Sequence, residues 1–127
     1  MSLAEQFTQS LRSVQKQVHE NSRDKGFWNG DANRNIPTKL MLIVSEIGEA
    51  MEADRKGNPI SEKLGDKLSR ETGIKQLDET VFAEEMADAV IRIMDLCEWM
   101  SIDLASVILA KAKYNATREK MHGGKKY

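Results

Sequence analysis

Residues 36–53 read IPTKLMLIVSEIGEAMEA. Ile36, Leu40, Ile43, Ile47, Ala50 and Met51 recur at intervals of three and four, the period of one helix face and not the alternation of a strand. Pro37 fits the first turn, where its missing N–H has no partner to lose, and Gly57 and Pro59 mark the stop. Working outward, the same reading finds three more helices. Ser2 and Glu5 have the spacing of a capping box, and Leu3, Phe7, Leu11, Val14 and Val18 line a first helix to about Glu20. Phe82, Met86, Ala89, Val90, Ile93 and Cys97 line a third, over about 82–100. The short link 101–103 predicts an antiparallel fourth helix reaching about Glu119, with Leu104, Val107 and Ile108 facing inward. Alternating runs are absent and aromatics make up 6% of the chain, so the expected fold is an all-α four-helix bundle.

At 127 residues the chain has room for one domain, 1–127, and not for two. Residues 55–80 hold Gly57, Pro59, Gly65 and Gly73 among dispersed charges and are expected to form a surface excursion with one short helix over 62–68. A basic tail is expected at about 120–127. The single cysteine, Cys97, cannot close an intramolecular disulfide, and neither a leader nor a long apolar span is evident, which makes the cytoplasm the expected compartment. Lys plus Arg (19) nearly balances Asp plus Glu (20), so neither nucleic acid nor a membrane is an expected partner. The charges are unevenly spread: 15 of the 20 acids lie from Glu46 to Asp103, whereas 104–127 carries six Lys and Arg against Glu119 alone. Such a chain suits a cation and an anion held side by side.

On the second helix, Leu42, Glu46, Glu49 and Ala53 form a stripe beside the apolar face. On the third, Glu85, Asp88, Arg92 and Asp95 do the same. Glu46, Glu49, Glu85 and Asp88 are thereby predicted to converge on a groove between the two helices. Four carboxylates so placed repel unless a proton or a cation neutralises them. An oxygen-only donor set suits Mg²⁺, with Mn²⁺ as a substitute, and not zinc. The same Glu-x-x-Glu spacing also describes an ordinary solvated face. Lys111, Asn115 and Arg118 continue the inner line of the fourth helix, either as a phosphate clamp or as long side chains leaving the bundle. A di-iron bundle wants Glu-x-x-His on two helices, and only Glu119 with His122 has that spacing.

The run 45–53, SEIGEAMEA, and the run 84–88, EEMAD, together with the basic segment 111–127, resemble the MazG-like branch of the all-α nucleoside triphosphate pyrophosphohydrolases. The resemblance implies a helical bundle assembled as a homodimer or homotetramer, Mg²⁺ on the four acids, and hydrolysis of a (deoxy)nucleoside triphosphate to monophosphate and pyrophosphate in nucleotide-pool cleaning. Glu49 is the acid expected to orient the attacking water. His19 and Trp28 are similar to the His and loop Trp that hold the nucleotide in dCTP pyrophosphatase-like members. The implied substrate-binding set is Trp28, His19, Asn29, Arg92, Lys111, Asn115 and Arg118. The sequence departs from the dCTP type in placing Arg92 where a Tyr is usual, in lacking a Trp after the first acidic motif, and in the long gap from Glu49 to Glu85. The rival reading is a non-catalytic helical dimerisation module whose acids are surface charge.

Overall fold

The computed structural model describes residues 1–56 and 81–118. These form four α-helices: α1 (Leu3–Asp24), α2 (Ile36–Arg55), α3 (Val81–Trp99) and α4 (Leu104–Ala116), with a 3₁₀ turn at Asp31–Asn33. The excursion beyond Lys56, the helix expected over 62–68, the tail 120–127 and the Glu119–His122 pair lie outside the described residues. Among the described residues no helix is long and apolar enough to cross a membrane.

The helix starts follow from local chemistry. The Ser2 hydroxyl accepts from Glu5 N and the Glu5 carboxylate accepts from Ser2 N, so the capping box satisfies two otherwise free amides. Asn35 caps α2 by accepting from Thr38 N at 3.1 Å, with Pro37 in the first turn. Asp103 caps α4 through Ser106.

The helix ends are less expected. α1 continues past Glu20 to Asp24 and closes in a Schellman motif, with Phe27 N donating to Ser22 O and Gly26 N to Arg23 O. Gly26 takes φ 88°, the left-handed conformation that lets the chain turn there. α3 closes the same way: Ile102 N donates to Cys97 O, Ser101 N donates to Glu98 O, and Ser101 itself holds φ 58°.

α3 is the central element, packed by α2 and by α1, while α4 lies on α1. Gln15 of α1 is buried and donates to Glu98 Oε2 (3.0 Å) and Ile102 O (2.9 Å), tying α1 to the end of α3. Arg12 grips Asp103 with two nitrogens and reaches Ser106 Oγ, which fixes how α4 is rolled on α1.

That roll corrects the expected inner face of α4. Ala105 is the buried residue, at 1% exposure, whereas Val107 and Ile108 are exposed. A small side chain lets two helices approach closely, and here Ala105 takes the seam. The same exchange occurs on α2. Lys39, Glu46, Ala50 and Ala53 are buried along one stripe, while Leu40, Val44, Ile47 and Met51 remain 47–56% exposed. On α3 the buried residues are Ala89, Met94 and Leu96, and Phe82, Met86 and Val90 of the expected inner face are exposed. Leu3 and Val14 of α1 are exposed as well.

Candidate functional site

The exchange on α2 carries Glu46 into the α2–α3 seam, where it is 7% exposed. There Glu46, Glu85 and Asp88 each present an oxygen within 4.8 Å of the others. Glu49, one turn along, is exposed and stands outside this trio, yet its carboxylate is close enough to act on Glu85. Three of the four acids expected to converge therefore do so, with the fourth at their edge.

The electrostatics are those of crowded carboxylates. Burial, then the hydrogen bonds and charges of Glu46 and Glu49, push Glu85 up to about 8. Burial and the charges of Glu46 and Glu84 raise Asp88. Burial alone would raise Glu46 too, but its hydrogen bonds, above all from Arg92, turn the shift downward. Arg92 Nε lies 2.7 Å from Glu46 Oε1. Glu85 Oε2 is buried without a hydrogen-bond partner among the described residues. An acceptor left bare beside two other carboxylates lacks a proton or a cation. The donors are all hard oxygens, a set that could hold a hard metal cation.

The cluster borders a cavity of about 380 Å³, a size within the range of small-ligand sites. Glu46 and Asp88 stand on its wall, Val18, Phe27, Leu42, Ile91 and Leu96 give it an apolar lining, and Lys25, Lys39 and Arg92 bring positive charge. Trp28 and Asp95 complete it.

Trp28 is a fixed part of the wall. It is 4% exposed, stacks on Trp99 with centroids 4.8 Å apart, and meets His19 edge-on at 5.4 Å. Lys39 Nζ sits 4.2 Å from its ring centroid and donates to Phe27 O. The indole Nε1 donates to Asp95 Oδ1 at 3.0 Å and Oδ2 at 3.2 Å, and His19 Nδ1 lies 2.6 Å from the same Oδ1. A carboxylate only accepts, so that ring nitrogen of His19 carries the proton.

The remaining residues expected to bind substrate are elsewhere. Asn29 lines a separate pocket of about 370 Å³ with Arg23, Asp24 and Arg34. Lys111 and Asn115 on α4 and Arg118 just past its end are exposed, with Lys111 and Arg118 over the Tyr114 ring, and none reaches the cavity wall. Lys39 and Trp99 were not singled out from sequence. Lys39 offered a signal, because a lysine falls on the same stripe as Glu46, Ala50 and Ala53; Trp99, at the end of α3, offered none.

Comparison of the chain with protein-family models, with curated proteins and with solved structures gives no match.

Proposed function

We propose that the protein is a Mg²⁺-dependent nucleoside triphosphate pyrophosphohydrolase of the MazG-like, all-α type, releasing monophosphate and pyrophosphate. The observation that carries this reading is the adjacency of two features: an oxygen-only cluster (Glu46, Glu85, Asp88) and an apolar cavity sized for a small molecule, sharing Glu46 and Asp88 as common wall. A nucleotide has the same division, a flat apolar base at one end and phosphates that need cations at the other.

When bound, a divalent cation supplies charge neutralisation on the phosphates and a more acidic water. Glu46, Glu85 and Asp88 would hold it. Glu49, exposed at the edge of the trio, would take the proton from the water that attacks the α-phosphorus. Arg92 and Lys25 offset phosphate charge from the cavity side, and Trp28 forms a rigid flank for the base. The role belongs to nucleotide-pool cleaning.

Self-association is part of the proposal. Lys111, Asn115 and Arg118 do not line the cavity of their own chain, and the exposed stripe on α2 needs cover, so a homodimer or homotetramer is the working form. A non-catalytic dimerisation module accounts for the stripe but not for a buried Glu46 or a partnerless Glu85 oxygen.

The test is a panel of canonical and modified triphosphates with Mg²⁺, read as pyrophosphate against phosphate released. Pyrophosphate in equal amount to monophosphate supports the reading. Phosphate alone, or no turnover with any member, overturns it.

A further inference from the structure

Asp95 lies two helical turns beyond Asp88 on α3, which is about 10 Å along the axis and nearly the same angular position. The cavity thus has carboxylates at both ends: the cluster at one, and at the other a single carboxylate framed by aromatic rings. The first suits phosphates bridged by a cation. The second is held by two ring N–H groups, so it calls for a different partner.

The partners of Asp95 use its two oxygens unequally. Oδ1 takes His19 Nδ1 at 2.6 Å and Trp28 Nε1 at 3.0 Å, whereas among the described residues Oδ2 has only the longer arm from Trp28 at 3.2 Å. Each carboxylate oxygen can accept about two hydrogen bonds, so Oδ2 keeps acceptor capacity on a residue that lines the cavity. Lys39 Nζ, the nearby cation, is engaged with Phe27 O and the Trp28 ring. What is missing is a donor from the ligand.

We propose that Asp95 selects the base, accepting a hydrogen bond from an exocyclic amino group, so that the substrates are nucleotides of cytosine, guanine or adenine in preference to those of uracil, thymine or hypoxanthine. This rests on the proposed nucleotide hydrolysis. The amino-bearing bases present a donor where their deaminated counterparts present a carbonyl oxygen or nothing. A carbonyl facing a fixed carboxylate sets two acceptors against each other, while an amine completes Oδ2. The rings of His19 and Trp28 prevent Asp95 from turning away.

The test compares matched pairs by calorimetric titration of the full chain with Mg²⁺ present: deoxycytidine against deoxyuridine monophosphate, and deoxyguanosine against deoxyinosine monophosphate. The amino member of each pair binds about ten-fold tighter or more, the worth of one hydrogen bond to a charged acceptor. Asp95→Asn then inverts the order of the cytosine–uracil pair and removes the preference within the guanine–hypoxanthine pair, since hypoxanthine has no carbonyl where guanine has its amine. The variant's Oδ1 keeps both ring donors, which places the amide NH₂ where Oδ2 was and presents a donor to a carbonyl. Equal affinities within the wild-type pairs overturn the assignment whatever the variant does, and an unchanged preference in a folded Asp95→Asn protein does so too. If triphosphates are hydrolysed without discrimination, this inference fails and the proposed activity stands. If none of the monophosphates binds, this inference fails, and the triphosphate panel alone decides the proposed activity.

Discussion

Arg92 Nε lies 2.7 Å from Glu46 Oε1, across the seam between α3 and α2, and so places a cation against the most buried acid of the cluster. The guanidinium is itself about one-third exposed. It therefore neutralises Glu46 while remaining able to reach into the cavity.

Removing that cation leaves Glu46 buried beside Glu85 and Asp88. Arg92→Ala is expected to cost about 2 kcal/mol in a chelating buffer, less than a fully buried pair because water partly replaces the arginine. Mg²⁺ should restore more stability to the variant than to the wild type, since the metal takes over the charge that Arg92 balanced. Thermal melts with and without Mg²⁺ measure both effects. An equal gain in the two proteins would show that the metal, if it binds, does so away from Glu46.

Glu85 gives a pH signature. Its folded value is raised from 4.5 to about 8, so between those values the folded state binds more protons than the unfolded state. Stability then falls as pH rises across that window and levels off above it. The Tm in chelating buffer is expected to decline from pH 5 to 8. Glu85→Gln removes that contribution to the slope and, with it, the response to Mg²⁺. A Glu85→Gln protein that keeps the wild-type slope and turns over triphosphates would remove Glu85 from the site.

The parts of this architecture that were legible in the sequence are the ones set by a few neighbouring residues. Ser2 with Glu5 and Pro37 mark helix starts because a cap is completed within three or four positions. The convergence of Glu46, Glu85 and Asp88 was legible because i, i+3 spacing on two packed helices leaves little choice. The roll of each helix was not legible, because it depends on which residues let a neighbour come near. Apolar periodicity puts Leu40, Ile47 and Ala50 inside together, but only Ala50 of these is buried, because it, Ala53 and Ala105 allow closer approach, and on α2 the seam carries Lys39 and Glu46 with it. The end of α1 was hidden because Asn21, Ser22, Arg23 and Asp24 lack apolar period yet stay helical until Gly26 stops them. Lys111, Asn115 and Arg118 fall at helical spacing along α4 and just past its end, yet none of them lines the cavity.

Ser101 has a conformation that nothing in its neighbouring residues foretells. It holds φ 58° at the position where Gly26 stands in the equivalent motif of α1. A side chain in that region costs about 1–2 kcal/mol, part of which a glycine gives back through its more flexible unfolded chain. Ser101→Gly is therefore expected to stabilise the protein by about 1 kcal/mol, read as a rise in denaturation midpoint with an unchanged slope. A loss of stability would mean that the Ser101 side chain makes a contact worth more than the backbone strain.

The α2 stripe Leu40, Val44, Ile47 and Met51 runs at intervals of four, three and four residues, one continuous line about three turns long and roughly half exposed throughout. A helix stripe of this length is the usual width of a core-facing seam, and large apolar residues so aligned are not ordinary scatter on a monomer surface. The facing seam of the same helix is already filled by Ala50, Ala53 and Glu46 against α3, so no further roll of α2 can bury the stripe without exposing that cluster. A second copy of the chain is the cover the proposed function requires. Light scattering at low micromolar concentration should give a mass of two or four chains, and Val44→Lys should move it toward one chain. Val44 is 54% exposed in its own chain, so the substitution should leave the far-ultraviolet circular dichroism unchanged. A wild-type protein of one-chain mass that still releases pyrophosphate would retain the chemistry and refute the assembly.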